Sequence, residues 1–120
     1  MFEILRNQTL TKTIAWLQEE KVETIGELVL FPSTDYLQKS LAATPSVLTI
    51  TPTEYQQMLD HYELVARTID GDYLLASEQE VIMIPHSHVK EDILYYDNTF
   101  SSLIIKYANS KNSIETFFKK

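Results

Sequence analysis

His86 and His88 stand two positions apart, directly after Pro85. On an extended segment both rings would point to one side, where two neutral imidazoles can share a metal ion. His61 and Asp92 could complete such a shell. The competing reading is a polar loop with two solvated histidines. No third ligand stands at a recognisable spacing, so neither a metal nor another cofactor is expected. Asp70 and Asp72 flank Gly71, and paired carboxylates can do acid–base work or bind calcium. Here a chain reversal at Asp70-Gly71 accounts for Asp70, and the spacing of an EF-hand is missing. Glu19-Glu20, Glu78 with Glu80, and Glu91-Asp92 read as surface acids.

Other chemistries find no footing. The chain has no cysteine, which excludes disulfides, thiolate metal sites and a Cys nucleophile, and fits a reducing, cytoplasmic setting. No serine sits in a Gly-x-Ser-x-Gly elbow. Glycine occurs only at positions 26 and 71, so a P-loop and a dinucleotide fingerprint are excluded. The expectation is a protein that is not an enzyme.

The net charge is −7 over 120 residues. Residues 1–60 carry eight acidic and four basic side chains, and residues 61–120 carry nine and six, so the charge is spread along the chain. Phosphate binding needs a basic patch, so nucleic acid is not an expected direct partner. The one basic cluster, Lys106, Lys111, Lys119 and Lys120, reads as a solvated helix face and tail. An acidic surface suits a basic protein partner. The start Met1-Phe2-Glu3-Ile4-Leu5 lacks a basic leader and a long apolar run, so no signal peptide is expected. No apolar stretch approaches the ~20 residues that span a bilayer.

These side chains must be placed by one domain, residues 1–120, with a hydrophobic fraction of 44%. Residues 8–22 read as an amphipathic helix with Leu10, Ile14 and Leu17 on one stripe, Trp16 at its edge and Thr9 or Thr11 as cap. Residues 27–31 read as a strand ended by Pro32. A second helix runs from Ser33 or Thr34 to Ala43, with Tyr36, Leu37 and Leu41 inward. Val47 to Ile50 reads as a short strand. Thr51-Pro52-Thr53-Glu54 starts a third helix as a capping box with proline in the first turn.

A β-meander follows. Tyr62 to Ile69 and Asp72 to Ala76 form a hairpin across a two-residue Asp70-Gly71 turn, with φ > 0 at both central residues. Tyr62, Leu64 and Ala66 should share one face of the first strand. Val81 to Ile84 is apolar on both faces, as in a covered central strand. Ile93 to Tyr96 is a further short strand. Asp97 or Asn98 caps a helix with Phe100, Leu103, Ile104 and Tyr107 on its stripe. Ile114, Phe117 and Phe118 suggest a short docked terminal helix, with Asn112 and Glu115 at capping-box spacing. Of the seven tyrosines, Tyr95, Tyr96 and one of Tyr36 or Tyr55 could lie on an interface, or line the core edge with hydroxyls in water.

Asp70-Gly71-Asp72-Tyr73-Leu74-Leu75-Ala76, Val81-Ile82-Met83-Ile84-Pro85 and Asn98-Thr99-Phe100-Ser101-Ser102-Leu103-Ile104 together resemble the C-terminal half of the SUKH superfamily. That group includes small bacterial immunity proteins and yeast regulators of cell-wall synthesis. Gly71-Asp72 and Thr99-Phe100 occupy the places of its Gly-Asp strand and its Ser/Thr-Phe helix start. Phe31-Pro32-Ser33-Thr34-Asp35-Tyr36-Leu37 echoes its second helix start more loosely. Leu41-Ala42-Ala43-Thr44 stands where Asn-Gly usually follows. The resemblance implies an α+β fold, an antiparallel meander with helices packed on one side, no catalysis, and binding of a partner protein. In bacterial members that partner is often a toxin, commonly a nuclease. The expected partner-binding residues are Asp70, Asp72, Glu78, Glu80, Glu91 and Asp92. The competing functions are a small metal-binding enzyme on the His86/His88 loop and a structural or phage-type assembly subunit. The latter would bury Ile114, Phe117 and Phe118 against copies of itself.

Overall fold

The computed structural model describes residues 2–43 and 49–120. Six strands form one antiparallel sheet in chain order: β1 (Thr24–Ile25), β2 (Leu28–Leu30), β3 (Glu63–Thr68), β4 (Tyr73–Ala76), β5 (Val81–Ile84) and β6 (Leu94–Tyr96). The fold is α+β. Strand β1 has only two residues and no alternation long enough to read from sequence. The other five lie where the apolar runs place them. Of the strand expected at Val47 to Ile50, the first two residues lie outside the described ones. Thr49 forms an isolated antiparallel bridge with Val89.

Four α-helices lie among the described residues: α1 (Leu10–Glu19), α2 (Thr34–Ala43), α3 (Pro52–Leu59) and α4 (Phe100–Ala108). Thr9 caps α1 by accepting from the Lys12 N–H at 3.2 Å. Thr51 and Glu54 form the complete capping box of α3. The cap of α4 is Thr99, one position beyond Asn98, and its hydroxyl accepts from the Ser102 N–H. Ile114–Phe117 makes a single 3-10 turn, with Ser113 and not Asn112 before it.

The helices cover both faces of the sheet, where the sequence suggested one. The reason lies in β4 and β5, whose eight side chains are all buried. Tyr73, Leu75, Ile82 and Ile84 pack with Leu37 of α2 and Tyr55 of α3. Leu74, Ala76, Val81 and Met83 pack with Leu17 of α1 and with Phe100, Leu103 and Ile104 of α4. A strand apolar on both sides needs a cover on both sides. The long connection from β2 to β3, which holds α2 and α3, supplies the second cover.

Strand β3 feeds both layers through a bulge. Leu64 pairs with Leu75, but the next pair is Ala66 with Leu74, leaving Val65 as the extra residue. Leu64 therefore faces the α2/α3 layer, while Val65 and Ala66 pack in the α1/α4 layer. The expected common face of Tyr62, Leu64 and Ala66 is broken at this step, because a bulge shifts the two-residue alternation by one.

The apolar tail residues are used within the chain itself. Ile114 and Phe118 are buried in the α1/α4 layer, and Phe117 meets the Tyr107 ring edge-on at 6.1 Å. This removes the surface on which the assembly reading rested. Tyr55 and Tyr96 are buried as well, and Tyr95 remains exposed. The Tyr36 side chain lies outside what is described.

Candidate functional site

A meander sends successive turns to alternate ends of its sheet, and this divides the expected binding residues. Asp70 and Asp72 in the β3–β4 loop share one end with Glu91 and Asp92 in the β5–β6 connection. Glu78 and Glu80 lie in the β4–β5 turn at the other end. The four residues of β4 separate the ends by ~13 Å. The six acids do not form one face.

At the first end the chain reverses through a three-residue loop, Ile69 to Gly71. The Gly71 N–H donates to the Thr68 carbonyl at 3.0 Å, and the Thr68 N–H donates to the Asp72 carbonyl at 2.8 Å. Gly71 alone takes a positive φ, +96°, and Asp70 does not. This is the turn-plus-bulge hairpin in place of the expected two-residue turn, because the glycine serves the bulge. Asp70 is exposed at the tip.

Asp72 is 4% exposed and faces inward, so it is not a surface for a partner. Its Oδ1 accepts from the His86 backbone N–H at 2.8 Å and lies 2.9 Å from His86 Nδ1. Its Oδ2 accepts from the Thr68 hydroxyl at 3.4 Å, and its own N–H donates to Thr68 Oγ1 at 3.0 Å. A buried carboxylate needs such donors. Asp72 thus ties the hairpin to the exit of β5.

The two nearby histidines part company. Residues 85–88 form a turn, closed by the His88 N–H on the Pro85 carbonyl at 2.8 Å, where the metal reading assumed an extended segment. The His86 ring stays outside on Asp72, whereas His88 is fully buried at φ 60°. The His88 carbonyl accepts from the Ile50 N–H at 2.8 Å. Burial, and next the His86 ring, draw the His88 pKa below its ordinary value. Asp92 lies 3.4 Å from Lys120 Nζ. His61 belongs to the opposite end of the sheet. Among the described residues, no group of three or more His, Asp or Glu side chains is placed to hold a metal ion.

At the opposite end lies a groove of about 420 Å³ between the start of α1 and the end of α3. Half-buried Leu10, Ile14, Leu59 and Tyr62 form its apolar floor, and Asp60, Glu63 and Glu78 stand on its rim. Leu10 and Ile14 belong to one core layer, Leu59 and Tyr62 to the other. The groove therefore runs across the sheet's end where the two layers meet. Glu78 accepts from the Leu10 N–H at 2.9 Å, which sets a negative charge at the positive end of α1. Glu80 lies against Tyr62, whose hydroxyl is held above its ordinary pKa by burial first and by the Glu80 charge second.

Among the described residues, none of Asp60, Glu63, Glu78 and Glu80 is paired with a lysine or arginine. The contrast is Glu54, which Lys90 Nζ meets at 2.8 Å. Sequence reasoning named Glu78 and Glu80 but missed Asp60, Glu63 and the floor. Leu10 and Glu78 are 68 positions apart, and no local pattern joins them.

A second cleft, at the start of α4, is lined by Arg6, Lys106, Thr99 and Ser102. Its hydroxyls are engaged internally: Thr99 caps the helix, and Ser102 Oγ bonds to Tyr96 Oη at 2.8 Å. No helix among the described residues is long and apolar enough to cross a membrane. No known protein family, curated protein or solved structure matches the chain.

Proposed function

We propose that this chain is a non-enzymatic binding protein that holds a basic protein partner through its acidic surface. The observation that carries the reading is that Asp60, Glu63 and Glu78 stand on the rim of one groove, with Glu80 beside Tyr62 of its floor, none of them paired with a lysine or arginine among the described residues. Four like charges at one end repel one another, and a cationic partner relieves that repulsion. A net charge of −7 adds a long-range attraction that speeds encounter. The SUKH resemblance extends the proposal. It makes the chain an immunity protein that occludes a toxin, and a nuclease is basic where it grips nucleic acid.

The test uses the intact chain as bait, beside a Glu63→Lys/Glu80→Lys variant. A captured protein is identified, remade and titrated by calorimetry. The expected result is a one-to-one complex that weakens steeply with salt and loses roughly tenfold or more in affinity with the variant. A partner that binds both chains equally, at all salt concentrations, overturns the reading.

A further inference from the structure

The groove at the β4–β5 end narrows the chemistry of the partner, on the strength of the binding reading above. We infer that its occupant is a basic protein segment carrying a large apolar side chain flanked by lysine or arginine. The floor and the rim each argue for half of that ligand. Leu10, Ile14, Leu59 and Tyr62 are only half-buried, and the groove brings these four partly open apolar side chains from both core layers together. They offer a place for one aliphatic or aromatic group of the partner. The rim carries Asp60 and Glu63, both exposed, and no lysine or arginine lines the groove. Exposed ion pairs hold weakly on their own, so the rim selects and orients while the floor retains. The α3 carbonyl end, at Asp60, adds its partial negative charge to the same rim. An acidic segment would meet repulsion at three points, and a purely hydrophilic basic segment would leave the floor wet.

The experiment follows backbone and methyl NMR shifts of the intact chain at near-physiological salt. Three short synthetic peptides serve as probes: one of leucine and lysine, one of serine and lysine with the same charge, and one of leucine and glutamate. The leucine–lysine peptide should shift Leu10, Ile14, Leu59 and Tyr62, and bind roughly tenfold or more tightly than the serine–lysine peptide. The leucine–glutamate peptide should cause no shift. Asp60→Lys/Glu63→Lys should weaken the leucine–lysine peptide by a similar factor. If that variant misfolds, Thr11→Arg places a cation on the same rim and should do the same. Equal binding of both lysine peptides, shifts away from the groove, or no shift at all would overturn the inference. A natural partner that engages the acidic rim but leaves Leu10, Ile14, Leu59 and Tyr62 uncovered would remove the inference and leave the binding reading in place. A chain with no charge-dependent partner would remove both.

Discussion

His86 Nδ1 and Asp72 Oδ1 lie 2.9 Å apart, joining residues fourteen positions apart in the chain. The two side chains differ sharply in setting: His86 is 69% exposed, and Asp72 is 6% exposed. The carboxylate is the structural member of the pair and the imidazole the peripheral one. Asp72→Ala removes the acceptor for the His86 N–H and the Thr68 hydroxyl together. It should cost about 1–3 kcal/mol, the penalty of buried donors left unmet. His86→Ala keeps the backbone bond and should cost less than about 1 kcal/mol. Urea melts of the two variants check the ordering, and equal losses would refute it.

Tyr55 is fully buried against Tyr73 and Leu75, and its hydroxyl finds no hydrogen-bond partner among the described residues. Burial drives the hydroxyl's pKa up, so it stays protonated. Removing an unmet hydroxyl while keeping the ring removes a desolvation penalty. Tyr55→Phe should therefore leave the melting temperature unchanged or raise it. Tyr55→Leu, which also loses ring contacts, should lower it. A clear loss with phenylalanine would show that the hydroxyl has a partner in the folded chain.

His88 gives the fold a pH dependence of defined sign. Its folded pKa lies below the unfolded value of about 6.5. As pH falls through that value, the unfolded chain takes up a proton that the folded chain refuses. Stability is greatest above about pH 6.5 and falls on acidification towards the lower folded pKa. Denaturation midpoints between about pH 7.5 and 5.5 should drop, and His88→Gln should flatten the slope. A flat profile in the original chain would contradict the burial of this ring.

Glu78 has a structural duty that must be separated from any role in binding. Its carboxylate accepts from the first N–H of α1. Glu78→Ala should cost about 0.5–1 kcal/mol, the usual range for an exposed helix cap. Glu78→Gln keeps an acceptor oxygen and should cost less, while still weakening a basic partner. If the two substitutions affect stability equally, the bond contributes nothing and the charge alone matters.

Phe118 is 7% exposed and packs beside the Tyr96 ring. Phe118→Ala should destabilise the chain by about 3–5 kcal/mol, as for a core aromatic. Sedimentation of a Phe118→Leu chain, which keeps most of the packing, should match the original. A change of oligomeric state in that chain would restore an assembly role for the tail.

Much of the fold was legible because its signals are local. Thr51, Pro52 and Glu54 announce a helix start within one turn, and the apolar run at Val81 to Ile84 announces a covered strand. The resemblance, however, implied helices on one side only, and no local pattern shows which segment returns to cover the other face. The bulge at Val65 was hidden because valine fits a regular rung as well as an irregular one. Gly71 marked the reversal correctly, but a glycine serves a bulge or a two-residue turn equally. The candidate site was legible only in Glu78 and Glu80. Its floor is assembled from α1 on one side and from the end of α3 with Tyr62 on the other, which come from different layers and lie far apart in the chain.

The double cover on the sheet also separates what the domain can change from what it must keep. No partner can reach the faces of β4 or β5 without removing a helix. A partner would therefore be confined to turns, helix backs and strand ends, where exposed positions such as Asp60 and Glu63 can change without touching the packed interior. The groove end could be rewritten for a different partner while Leu74, Leu75, Ile82 and Met83 stay as they are. The exposed rim can then vary with little effect on folding, whereas Glu78 and the groove floor remain tied to folding as well.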